Sequence, residues 1–155
     1  MMNKKNLNIL LADDDTDDCI FFKEALDELL IKTNLTTMHD GEQLMIYLGG
    51  TSRELIDVLF LDINIPRKNG FECLFEIKQN ENLKELPVII LSTSFEHEVV
   101  NSLYVSGAHY FIRKPSHFAE FNKIIYHALL LIDQDEIAQP SRANFVLTVD
   151  NSLMN

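Results

Sequence analysis

The sequence predicts an α/β domain built on a doubly wound parallel sheet. Two observations carry that prediction. Short, near-continuous apolar runs recur along the chain, and a strand buried on both faces reads as such a run because each face must be apolar. Between them lie longer stretches of helical period, and strand and helix alternate five times between residues 7 and 132. A parallel sheet needs such crossover helices.

Leu7–Ala12 (LNILLA), Val58–Ile63 (VLFLDI) and Val88–Ser92 (VIILS) are the clearest strands. Thr33–Met38 (TNLTTM) and Tyr110–Lys114 (YFIRK) are weaker and suit places near the sheet edges. A first helix over Asp17–Ile31 sets Phe22, Leu26 and Leu29/Leu30 on one apolar stripe. Glu42–Leu48 follows an Asp40-Gly41 turn, and Phe71–Gln79 places Leu74, Phe75 and Ile77 inward. Glu96–Val105 runs up to Gly107, a left-handed cap. Ser116 is the expected cap of the last helix, which continues through Phe118, Phe121, Ile125 and Leu129 to about Ile132.

The domain is therefore expected over residues 1–132. From Asp133 the pattern fades through Pro140 into NFVLTV at 144–149, which fits a flexible end, an extra edge strand or a docking segment. A tail of 133–155 is too short for a DNA-binding output domain.

Composition narrows the function classes. The chain has 155 residues, 46% of them hydrophobic, and no apolar run near the roughly 20 residues of a membrane helix. The N-terminal apolar stretch runs into aspartates too soon for a secretory signal, so a cytoplasmic, membrane-free protein is expected. Cys19 and Cys73 form no CxxC and read as packed thiols. His39, His97, His109, His117 and His127 lack ligand spacing. A net charge of −11 repels nucleic-acid phosphates.

The chemistry sits at the strand ends. Residues 9–18 read ILLADDDTDD, with Asp13, Asp14, Asp15, Asp17 and Asp18 at the mouth of a buried strand. Two such charges 4 Å apart repel by roughly 4 kcal/mol at an effective dielectric of about 20. Asp15, Asp17 and Asp18 suit a helix start, where the exposed N–H groups favour negative charge. Asp13 and Asp14 precede the helix. Ligands of open parallel sheets bind beyond the carboxyl ends of the strands. There Asp13, Asp14 and Asp62 would meet Ser92 and Lys114. Three carboxylates need a cation, and all-oxygen donors suit Mg²⁺. A carboxylate beside Mg²⁺ and a lysine can attack phosphorus, with Lys114 neutralising phosphoryl oxygens and Ser92 donating to one.

Four motifs in order, ILLADDD, VLFLDINIPRKNG, LPVIILSTS and GAHYFIRKP, resemble the response-regulator receiver domain of two-component signalling. The resemblance implies a flavodoxin-like five-stranded sheet in the order 2-1-3-4-5 with five flanking helices. It matches Asp13 and Asp14 to the acidic pair that holds Mg²⁺, Asp62 to the phosphoacceptor and the main-chain carbonyl of Asn64 to a further ligand. Ser92 takes the switch-hydroxyl position, Phe111 the aromatic switch position, Lys114 the family's lysine and Gly70 the glycine of the loop after Asp62. It also implies a cis Lys114–Pro115 bond. The loop QNENLKELP and the tail resemble single-domain regulators paired with phytochrome-type and related sensor kinases. The implied protein is a signalling receiver and not an enzyme, phosphorylated by a sensor histidine kinase or a histidine phosphotransfer protein. Its output would be protein–protein contact, a relay step or homodimerisation.

Three rivals fit less well. A haloacid-dehalogenase-type phosphatase needs Thr or Val where Asp17 stands. A flavodoxin-like electron carrier needs a hydroxyl-rich phosphate loop in place of five aspartates. A receiver-like adaptor working without phosphorylation has no need of Asp13, Asp14, Asp62, Ser92 and Lys114 together.

Overall fold

The computed structural model describes residues 6–133 and 138–149. Strands β1 (Leu7–Ala12), β2 (Thr33–Met38), β3 (Val58–Asp62), β4 (Val88–Ser92) and β5 (Tyr110–Arg113) alternate with helices α1 (Thr16–Asp27), α2 (Gly41–Gly49), α3 (Gly70–Gln79), α4 (His97–Val105) and α5 (Phe118–Ile132). A two-residue strand β6 (Val146–Leu147) follows, and the sheet order is β2-β1-β3-β4-β5-β6. Every strand pairing among the described residues is parallel.

The expected strand count of five is thus corrected to six. A 3₁₀ turn at Arg142–Asn144 delivers Phe145, which is fully buried, to the free edge of β5. The Phe111 N–H donates to the Phe145 carbonyl (3.0 Å), and Phe111 and Ile112 pair with Val146 and Leu147. Of the three readings of the tail, the edge strand is the one its described residues adopt; residues 134–137 and 150–155 lie outside the described part.

Alternate strand residues feed two cores. Leu10, Leu59, Leu61, Ile90 and Phe111 meet α2, α3 and α4 through Leu44, Leu74, Ile77, Val100 and Leu103. Ile9, Leu11, Phe60, Leu91 and Ile112 meet α1 and α5 through Phe22, Leu26, Phe121, Ile125 and Leu129. Burying a side chain of this size stabilises by roughly 1.5–3 kcal/mol relative to exposure, and the two-sided sheet collects that gain twice.

Local chemistry sets the helix ends. Asp15 caps α1 by accepting from the Asp18 N–H, Asp40 caps α2 by accepting from Gln43, and Asn69 and Glu72 form a reciprocal capping box on α3. Gly107, with φ of +102°, closes α4: its own N–H and that of Ala108 donate back to Tyr104 and Leu103. Three expectations fail. His117, not Ser116, occupies the α5 cap position, and no side chain bonds there. Phe75 is 62% exposed, because Cys73, Leu74 and Ile77 already fill the inward arc of α3. The first helix ends at Asp27 rather than Ile31.

Candidate functional site

Parallel strands end in register, so their C-terminal residues form a row. Ala12 of β1 pairs with Leu61 of β3, and Asp62 pairs with Leu91 of β4. Asp13 therefore follows β1 beside Asp62, and Ser92 stands one step beyond the partner of Asp62. Ser92 itself pairs with Arg113, which puts Lys114 next in line. All four come to one edge, as the sequence predicted.

Asp13 is 1% exposed, tied by its N–H to the Met38 carbonyl (3.0 Å) and by Oδ1 to the Asp15 N–H (3.0 Å). Asp62 Oδ1 accepts from the Asn64 N–H at 3.0 Å, so the residue expected to offer a carbonyl already orients the carboxylate through its amide. Oxygens of Asp13, Asp14 and Asp62 lie within 4.8 Å of one another, with Asp14 exposed and the other two buried. That is a hard-donor set of the kind that holds a divalent cation. Burial makes ionised Asp13 costly and raises its pKa, which bonds from Lys114 and the Asp15 amide only partly oppose. A fixed, partly unneutralised carboxylate is what an incoming cation would relieve.

Lys114 is the counter-charge. Its Nζ lies 2.8 Å from Asp13 Oδ2, 2.8 Å from Asp62 Oδ2 and 2.8 Å from Asp18 Oδ2. Burial works against the ammonium, since its stem borders a cavity of about 30 Å³ with Phe21, Phe22, Leu91, Pro115 and Phe121. The bonds to the three carboxylates more than offset this and hold its pKa above the ordinary lysine range. The Lys114–Pro115 peptide is trans, contrary to expectation. Trans is the lower-energy isomer, and the Lys114 N–H bond to the Ser92 carbonyl (2.8 Å) already aims the side chain.

Ser92 is buried, and its Oγ accepts from the Ser94 N–H at 3.1 Å. Phe111 is fully buried, edge-on to Phe95 with centroids 5.9 Å apart and tilted against Phe145 at 6.4 Å. Gly70 opens α3 directly against the strand end: a Cβ there would lie 2.6 Å from Ile63 Cα and 2.8 Å from the Asp62 carbonyl oxygen. Only glycine fits that approach.

Asp18 is the residue the sequence reading missed, having been assigned to the helix start. The signal was present, because Asp18 lies one turn before buried Phe22 and so extends the inward stripe of α1 toward the site. The two cysteines are free and none of the described helices is long and apolar enough to cross a membrane.

Comparisons with known proteins bear on the family and the fold. Residues 9–126 match the family model described as the response regulator receiver domain. The chain is 31% identical over 121 residues to "Response regulator Rcp1" of Synechocystis sp., spanning 76% of this chain and 82% of that one. It superimposes on the phosphorylated cyanobacterial phytochrome response regulator RcpA with a TM-score of 0.70 and 30% identity, covering 77% of this chain and 89% of that one. For the Mn²⁺-bound form of Rcp1 the TM-score is 0.72 at 28% identity, with 87% and 99% covered. The fold, the acidic row at the carboxyl ends of the strands and these matches together establish that this chain belongs to the response-regulator receiver family of two-component signalling.

Proposed function

We propose that Asp62 accepts a phosphoryl group from the phosphohistidine of a sensor kinase or phosphotransfer protein, and that the modification switches a protein-contact surface. One observation carries the reading: the Asp62 carboxylate is fixed by the Asn64 N–H, bonded to Lys114 at 2.8 Å and within 4.8 Å of the Asp13 and Asp14 oxygens.

Asp13, Asp14, Asp62 and the Asn64 carbonyl would hold Mg²⁺. When bound, the ion neutralises the acidic set and the charge on phosphoryl oxygens. A carboxylate oxygen of Asp62 attacks phosphorus, an O–P bond forms, and the histidine N–P bond breaks with its electron pair returning to the imidazole. Lys114 shifts from Asp62 Oδ2 to an oxygen of the incoming group, while the Asn64 amide keeps the carboxylate oriented. The Ser92 hydroxyl turns to the same group and releases the Ser94 N–H. Phe95 follows on that loop and packs on Phe111, so the change reaches the α4–β5 face. Rcp1 and RcpA are named as response regulators, RcpA of a phytochrome, which supports a histidine kinase of that kind as the partner.

The test is label from a small phosphoryl donor with Mg²⁺ that alkali or hydroxylamine removes, as an acyl phosphate requires. Wild type should incorporate it and Asp62→Asn should lose it more than about 100-fold. Equal labelling of the two proteins ends the proposal.

A further inference from the structure

The ammonium of Lys114 has three hydrogens and spends them on three carboxylates at equal distance. Two of these, Asp13 and Asp62, belong to the group whose oxygens could ligate a cation. Asp18 does not. It comes from the first turn of α1, where its own N–H is taken by the Asp15 cap at 3.0 Å, so its backbone is anchored independently of the site. Its neighbour Asp17 shares the same helix start and is exposed. A carboxylate serving only the helix dipole would face water in the same way. Asp18 instead adds a negative charge to a site that already holds an excess.

We propose that Asp18 is a positioning residue for Lys114: it keeps the ammonium in place when Asp13 and Asp62 turn to a divalent cation and a phosphoryl group. The inference rests on the function proposed above. With Asp18 present, the lysine can release either ligand carboxylate and still keep a charged partner. Without it, the ammonium has only Asp13 and Asp62 left to bond and competes directly with the incoming cation. The site also loses one negative charge. Both changes weaken cation binding, although Asp18 is not a ligand.

The test is titration of the full chain with Mn²⁺, free ion read by electron paramagnetic resonance, without any phosphoryl donor. Asp18→Asn should weaken affinity by about fivefold, the upper size expected for one partly exposed ion pair. Asp17→Asn removes the same charge one residue away and should stay within about twofold. Asp18→Glu, which restores the charge, should recover affinity. As a positional readout, Lys114 in the Mg²⁺-saturated protein should react faster with an amine-acylating reagent in Asp18→Asn than in wild type, followed by peptide mass spectrometry. Equal affinities for Asp18→Asn and Asp17→Asn, whether unchanged or equally reduced, overturn the inference. Failure of the wider function would show differently, as an absence of label in wild type with its metal titration intact.

Discussion

The two ends of the sheet bury charge in opposite ways. At the carboxyl end, Asp13, Asp18 and Asp62 share one ammonium, and Asp14 stands beside them. At the amino end, buried and half-buried polar groups are spent on backbone. Lys78 donates to the carbonyls of Lys84 and Leu86 at 3.1 Å each, and Arg53 donates to those of Ile56 (2.6 Å) and Glu85 (3.2 Å). Asp57 accepts from the Asn8 N–H at 2.7 Å, and His109 Nδ1 accepts from the Val88 N–H at 3.3 Å. Burial lowers Lys78 to about 8 and His109 to about 4. Groups at the amino end therefore tie strands together, whereas those at the carboxyl end hold an unbalanced charge ready for a ligand. Stability is concentrated at one edge and reactivity at the other.

The sharpest way to break this contrast is to remove the ammonium that Asp13, Asp18 and Asp62 share. Lys114→Ala should lower unfolding stability without divalent ions by about 3 kcal/mol, because buried carboxylates lose their partner. Added Mg²⁺ should stabilise the variant more than wild type, since it supplies the missing charge. Urea titrations with and without Mg²⁺ decide it. An unchanged variant would mean that the carboxylates do not strain the fold.

Acid probes the other edge. His109 has an ordinary value of 6.5 and a folded value of about 4, so between those limits the unfolded chain takes up a proton that the folded chain refuses. Its contribution to stability is intact above 6.5, is lost as pH falls through the window and levels off below 4. From pH 7 to 5 this amounts to about 2 kcal/mol. The slope of stability against pH should flatten in His109→Asn. Asp13 carries the opposite sign: its folded pKa is raised, so the ionised form is the costly one and stability is lost as pH rises through that folded value. Asp13→Asn at neutral pH should therefore raise unfolding stability without metal, read in the same urea titration. The same change should cost at least tenfold in divalent-ion affinity. A variant that is both less stable and equally metal-competent would remove the distinction between the edges.

Much of this was legible in the chain. Strands buried on both faces cannot alternate, so LNILLA, VLFLD and VIILS announced themselves, and a parallel topology carried Asp13, Asp62, Ser92 and Lys114 to one edge. The missing parts have physical reasons. Val146–Leu147 is too short to signal a strand by pattern, and its place depends on Phe145 finding a slot between Tyr104 and Phe111. Phe75 is as apolar as its neighbours, and only the helical phase set by Cys73 and Ile77 turns it outward. Asp18 differs from Asp17 solely by one step of that same kind of rotation.

The short sixth strand also decides where another chain can join this sheet. Tyr104 anchors its approach, donating its hydroxyl to the Pro140 carbonyl at 2.7 Å, and Gln139 bonds the carbonyls of Tyr104 and Ala108. While Val146 and Leu147 remain seated, they occupy the backbone groups of Phe111 and Ile112 that a visiting strand would use. On that flank the open edge is thus a strand of only two residues, too short to template much further pairing.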